Sequence, residues 1–156
     1  MIGYLGGSGF LGTHGSVGAD ASLVIMVAAA VMLSIGVALA RTKRFGAHRW
    51  VQTAAVCLNA VPVLAWMIRF FVLYVLPEIP ARLGQRSYAV TTVHALVGVV
   101  GLTLGVFVDL RGNELVPARL RFSNYKLFMR SSYALYMLAT LTGVIVYVVA
   151  YGSGLK

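Results

Sequence analysis

The sequence predicts an all-α integral membrane protein, a four-helix bundle whose N and C termini both lie on the extracytoplasmic side. Of its 156 residues, 60% are hydrophobic and only 11% are charged, whereas a soluble domain carries about 25% charged residues. Several apolar stretches are long enough, at about 20 residues each, to cross the hydrocarbon core of a bilayer. These predicted spans cover residues 19–40, 50–76, 88–110 and 127–151.

The placement of the positive charges predicts the orientation of the bundle. Lys and Arg concentrate in the cytoplasmic loops of membrane proteins, so the loops that carry them here are expected inside and both termini outside. The net charge of +9 follows from this topology and favours contact with anionic lipids; nucleic-acid binding is not expected. Nine of the thirteen cations lie in or beside the first and third connections: Arg41, Lys43, Arg44, Arg49, Arg111, Arg119, Arg121, Lys126 and Arg130.

The chain divides into one membrane domain and two short flanking segments. A Gly-rich extracytoplasmic segment covers residues 1–18, the transmembrane domain covers 19–151, and a C-terminal tail covers 152–156. The first segment has no basic n-region, so it is not a signal peptide. Its GxGxxG-like run from Gly7 to Gly12 lacks the preceding strand of a dinucleotide site. We therefore expect a multi-pass protein of the cytoplasmic (inner) membrane.

The second predicted helix carries a polar stripe and an internal proline. Pro62 is expected to kink the helix or to widen it locally, and Pro77 is expected to end it. A polar stripe in a membrane must face protein or water, because lipid offers it no hydrogen-bond partners. The residues that share this face at helical spacing are His48, Gln52, Asn59, Trp66 and Arg69.

The third predicted helix places a histidine above a line of glycines. His94, Gly98, Gly101 and Gly105 fall on one face of a helix at about 100° per residue. Small residues spaced by four allow two helices to approach closely. This face therefore predicts a packing groove for a neighbouring helix or for a flat lipid-soluble ligand, with His94 at its outer mouth.

The fourth predicted helix is rich in tyrosine. Tyrosines near helix ends are typical of the membrane–water interface, but Tyr136 and Thr140 lie too deep for that explanation. We expect these two residues to form a polar interior together with Gln52 and Asn59 of the second helix.

The three histidines lie at different depths, which restricts how they can bind a cofactor. His48 and His94 are separated by about a bilayer core, so they cannot ligate one haem. The remaining axial pairs are His94 with His14, and His48 with Met129. For His94, a structural role, a haem or metal ligand and a quinone hydrogen bond all stay open.

Arg69 allows three interpretations, because a charged residue within a span is costly. Its side chain snorkels to the interface, pairs with Asp20, or clamps a haem propionate, a quinone or a carboxylate of a partner. Other chemistry finds little support: four acidic residues leave no carboxylate pair for hydrolysis, and Cys57 is the single cysteine. No catalytic residue is predicted.

Three short motifs resemble the small four-span membrane proteins related to YozB, a family of unknown function. They are "AHRW" opening the second span, "YAVTTVH" opening the third and "TGVIVYVVAY" closing the fourth. The matching positions are His48 with Arg49, and His94. The family often has a histidine near the start of the fourth span, where this chain has Tyr125. Genes of the family often lie near those of haem–copper oxidases and their assembly factors.

The resemblance and the residues together predict a small integral subunit or accessory protein of a respiratory electron-transfer complex. It would pack against larger subunits, without catalysis of its own, and line a quinone or haem b pocket with His94 and Arg69. Two alternatives are a free-standing b-type cytochrome and an assembly factor for a haem–copper oxidase. The assembly factor would bind metal through His14, Asp20 and His94.

Overall fold

The computed structural model describes residues 8–121 and 123–152, and within them the chain is helical apart from loops and one isolated bridge between Ser8 and Ser16. Four helices are each long and apolar enough to cross a membrane. This confirms the predicted all-α, multi-pass fold. The helices are α1 (Val17–Arg41), α2 (Phe45–Arg82), α3 (Arg86–Gly112) and α4 (Tyr125–Tyr151).

Helix α2 is longer than predicted at both ends. It begins at Phe45 and continues past Pro77 through a 3₁₀ turn at Leu76–Glu78 and a last α-helical turn at Ile79–Arg82. The prolines of these turns occupy first or second positions, where the missing N–H would have no intrahelical partner. The expected stop at Pro77 was therefore wrong.

Pro62 widens α2, as the sequence predicts. The helix is α-helical from Phe45 to Pro62 and then forms a π-helical segment at Val63–Met67. A second π-helical segment follows at Phe71–Val75. Proline has no N–H to bond the preceding turn, and π segments in helices are frequent at functional sites.

The helices pack as two antiparallel hairpins. Helix α1 lies along α2 and α3 lies along α4, and the hairpins meet through contacts between α1 and α4 and between α2 and α3. The buried core joins Leu33 of α1, Ala55 and Val56 of α2, and Tyr136 of α4, with Leu102 of α3 packed against it. Many large apolar side chains are exposed on the outer faces, as is expected of a bundle that lipid surrounds.

The glycines of α3 face α4 and differ in how closely they are packed. A side chain at Gly105 would overlap the ring of Tyr136 and lie 3.0 Å from its Oη. At Gly101 the nearest atom would be Cβ of Leu135, at 3.5 Å, whereas no atom lies within 4 Å of a side chain at Gly98. Helix α4 thus packs closely against Gly101 and Gly105, whereas the space beside Gly98 is open.

Candidate functional site

The end of the bundle that carries the N-terminal loop encloses a carboxylate. Asp20, near the start of α1, has 0% relative exposure. Its Oδ2 accepts a hydrogen bond from the Leu11 amide at 2.7 Å, and its Oδ1 accepts one from the Tyr147 hydroxyl at 2.5 Å. Since the single hydroxyl proton of Tyr147 goes to Asp20, Thr13 Oγ1, 2.6 Å away, donates to Tyr147. The loop 8–16 therefore closes over the ends of α1 and α4.

This enclosure explains two glycines of the N-terminal segment. A side chain at Gly9 would overlap the Asp20 carboxylate, and one at Gly15 would lie 2.7 Å from Asp20 Oδ1. The Gly9 amide also donates to the Gly15 carbonyl at 2.9 Å. The loop backbone thus packs directly on a buried acid, which only glycine allows at these positions. The first part of the Gly-rich segment, residues 1–7, lies outside the described residues.

His94 is half-buried and held against α4. Its Nδ1 lies 3.1 Å from the Ala139 carbonyl oxygen and 3.2 Å from Thr142 Oγ1. A carbonyl oxygen can only accept, so Nδ1 carries the proton and Nε2 carries a lone pair. This hydrogen bond fixes both the tautomer and the orientation of the ring.

Met26 of α1 lies beside His94, an arrangement that the sequence analysis missed. A side chain at Gly143 of α4 would stand 2.6 Å from Met26 Sδ and 2.9 Å from His94 Cε1. The absence of a side chain at Gly143 therefore creates a notch that the thioether and the imidazole share. The signal in the sequence was weak, because one methionine in an apolar helix is usually a core residue.

Most of the polar stripe of α2 faces the neighbouring helices. Trp66 Nε1 donates to Ser22 Oγ of α1 at 2.8 Å, whereas Arg69 has an exposed side chain. A π-helical segment has a longer hydrogen-bond repeat than an α-helix, so the faces of residues beyond Val63 rotate relative to the stripe before Pro62.

At the opposite end, two polar side chains of α2 tie it to α1. His48 Nδ1 donates to the Gly36 carbonyl at 2.7 Å, and Gln52 Nε2 donates to the Leu33 carbonyl at 3.3 Å. A side chain at Gly36 would overlap the Gln52 amide. Both α2 residues thus have structural partners within their own hairpin.

A second polar cluster links α2 to α3 at this end. Thr53 Oγ1 donates to Asp109 Oδ1 at 2.8 Å, and Asn113 Nδ2 donates to Thr53 Oγ1 at 3.0 Å. The cluster joins the two hairpins, which share few other polar contacts among the described residues.

Tyr136 occupies the centre of the bundle and is 5% exposed. Its Oη has no hydrogen-bond partner among the described residues; the side chain of Asn59 faces it outside hydrogen-bond geometry. Thr140 Oγ1 donates to the Tyr136 carbonyl at 2.9 Å, so this hydroxyl bonds its own helix.

The ligand sets proposed from the sequence for His14 do not assemble. His14 is exposed on the loop 8–16, while Asp20 is enclosed by Leu11 and Tyr147. Within residues 8–121 and 123–152, no three His, Cys, Asp or Glu side chains group as a metal site requires. The hypothesis of a metal site formed by His14, Asp20 and His94 was therefore wrong.

Comparison of the chain with family models, with curated proteins and with solved structures finds no match. The fold itself defines the class, a multi-pass four-helix protein with a polar site at each end. One of these sites joins Asp20, Tyr147 and the loop 8–16. His94 and Met26 lie deeper, between α1, α3 and α4.

Proposed function

We propose that this chain is a small integral membrane subunit or accessory protein of a respiratory electron-transfer complex. The observation that carries the proposal is an exposed groove on α1 that suits a transmembrane helix of a larger subunit. The resemblance to the YozB-related family supports the respiratory setting. Within such a complex, His94 and Arg69 are the side chains proposed to border a quinone or haem of the assembly.

The groove is shallow and apolar, and it lies on α1 with Met137 of α4 at its edge. Ala30, Ser34 and Ala38 recur every four residues, so they lie on one face of α1. Small residues at this spacing let the backbones of two membrane helices approach closely. The groove is lined by Val27, Ala30, Val31, Ser34, Ile35, Ala38 and Met137.

The polar groups in the groove already have partners within the chain. Ser34 Oγ donates to the Ala30 carbonyl at 2.9 Å and lies 3.0 Å from Tyr133 Oη. Because the serine proton goes to Ala30, the tyrosine donates to the serine. The groove therefore offers a partner close van der Waals contact without unsatisfied polar atoms. The glycines of α3 cannot serve this purpose at Gly101 and Gly105, which contact α4.

We further propose that the chain lies in the cytoplasmic (inner) membrane with both termini outside the cytoplasm. The cations of the first and third connections support this orientation. Its partners are then membrane lipids and the larger subunits, and the loop 8–16 with Asp20 faces the extracytoplasmic side.

Crosslinking from the groove tests the proposal. The Ser34→Cys variant, in a Cys57→Ser background, is expressed in its native cells and crosslinked in the membrane. We expect a crosslinked species that mass spectrometry identifies as a subunit of an electron-transfer complex. An Ala30→Leu variant, which fills the groove, is expected to lose that complex during purification in mild detergent.

The matched control is Ala54→Leu, which adds the same bulk at an exposed position of α2 outside the groove. It is expected to co-purify as the wild type does. The proposal is overturned if the protein runs alone as a monomer in mild detergent, or if Ala30→Leu and Ala54→Leu retain the partner equally.

A further inference from the structure

We propose that His94 and Met26 form a binding site for a soft monovalent metal ion, Cu(I), between α1, α3 and α4. The donors are the Nε2 lone pair of His94 and the thioether sulfur of Met26. The site requires only this chain, so it does not depend on the function proposed above.

The histidine is already held as a metal ligand would be. A histidine that binds a metal through one ring nitrogen almost always donates the other N–H to a carbonyl or a carboxylate. His94 donates its Nδ1 proton to the Ala139 carbonyl at 3.1 Å. Within the described part of the chain, Nδ1 makes the hydrogen bonds of this ring. Nε2 therefore keeps its lone pair for a ligand.

The thioether reaches the same notch from another helix. Met26 Sδ and His94 Cε1 lie 2.6 Å and 2.9 Å from the position that a side chain of Gly143 would take. Cε1 is bonded to Nε2, so the free nitrogen is one bond from the ring atom that faces the notch. Both side chains are half-buried, so an ion there would be partly removed from solvent.

The donor chemistry selects the metal. Thioether sulfur is a soft ligand that favours Cu(I), and imidazole also suits copper. Hard cations such as Mg²⁺ and Ca²⁺ need several oxygen ligands, which neither side chain supplies. Two neutral donors leave a single positive charge, and the buried carboxylate of Asp20 lies on the same helix, about 9 Å earlier along its axis. In a low-dielectric bundle the negative charge of the Asp20 carboxylate stabilises a cation.

Haem is a less suitable occupant of this notch. The ring and the thioether share the space of one missing side chain, whereas a porphyrin needs a broad flat cavity. Two shallow grooves on the faces of the bundle are lined by neither His94 nor Met26.

Competition with a chromogenic Cu(I) chelator under anaerobic conditions tests the proposal on the purified full chain. We expect the wild type to bind one Cu(I), with X-ray absorption that shows one nitrogen and one sulfur neighbour. Met26→Leu and His94→Ala are each expected to weaken binding by more than about 100-fold. Gly143→Ala is expected to weaken it too, because its methyl group enters the notch.

The controls separate this site from other donors and from misfolding. His48→Ala, Met129→Leu and Cys57→Ser are expected to bind Cu(I) as the wild type does. Met26→Leu conserves volume and keeps the bond between His94 and Ala139, and its unfolding temperature in detergent checks its fold. The proposal is overturned if the wild type binds no Cu(I), if Met26→Leu and His94→Ala bind it unchanged, or if Cys57→Ser abolishes binding.

A haem spectrum of the purified protein that Met26→Leu and His94→Ala both abolish would also overturn the copper assignment. The groove variant Ala30→Leu is expected to leave Cu(I) binding unchanged, and Met26→Leu is expected to leave partner retention unchanged. Failure of either proposal is thereby distinguishable from failure of the other.

Discussion

Asp20 is a buried acid whose hydrogen-bond partners are a backbone amide and a tyrosine hydroxyl of the protein itself. A charged side chain within a membrane span costs about 2.5–3.5 kcal/mol at the centre and less near an end. Here the Leu11 amide and the Tyr147 hydroxyl supply the hydrogen bonds, and the N-terminal end of α1 favours a negative charge. The Gly-rich loop can come this close because Gly9 and Gly15 have no side chain.

Asp20→Ala is therefore expected to release the loop. It removes the acceptor of the part-buried hydrogen bond from the Leu11 amide, and an intramolecular hydrogen bond contributes about 0.5–1.5 kcal/mol to stability. Hydrogen exchange of the Leu11 amide should accelerate, and the unfolding temperature in detergent should fall.

Tyr147→Phe is the matched control, because it removes the tyrosine hydroxyl but leaves the carboxylate to accept from Leu11. Protection of the Leu11 amide should survive in this variant. Unchanged protection in Asp20→Ala would show that the carboxylate does not hold the loop.

At the scale of the elements, α3 and α4 form the closest seam of the bundle. The ring of Tyr136 lies against Gly105, and Leu135 packs over Gly101. A methyl group added at Gly105 would meet a rigid aromatic ring, whereas one added at Gly98 would meet open space. The two positions should therefore tolerate substitution differently.

Gly105→Ala is expected to destabilise the bundle by about 1–3 kcal/mol, since the added methyl group overpacks the core against Tyr136. Gly98→Ala meets no atom within 4 Å and replaces a poor helix former, so it should be neutral or stabilise by up to about 1 kcal/mol. Unfolding of both variants in detergent compares them directly. Equal stabilities would contradict the packing of the seam.

At the scale of the whole molecule, the bundle has a polar cluster towards each end and many large apolar side chains on its outer faces. Asp20 and His94 belong to one half, and His48 and Asp109 to the other. The charge distribution of the loops assigns the first half to the extracytoplasmic side under the proposed orientation.

Cysteine labelling measures that orientation. His14→Cys and Lys43→Cys place a thiol at exposed positions of the N-terminal loop and of the first connection, each in a Cys57→Ser background. A membrane-impermeant maleimide should label position 14 in intact cells, and position 43 only after the membrane is permeabilised. The reverse pattern would invert the topology.

The sequence alone determined the four membrane helices, the polar stripe up to Asn59 and the widening after Pro62. Each follows from local properties: the length of apolar runs, the 3.6-residue period and the missing N–H of proline. The end of α2 was missed because Pro77 and Pro80 sit at positions where helical turns tolerate proline.

The tertiary structure alone decided which side chains meet. Periodicity predicts the face of a regular helix, but the partner across the interface depends on the relative position of two helices. Gly143, which the sequence does not distinguish from other glycines, admits Met26 beside His94. Likewise, the loop 8–16 folds back onto Asp20 because its backbone can fit there. The Arg69 side chain, which follows the π-helical segment Val63–Met67, is exposed.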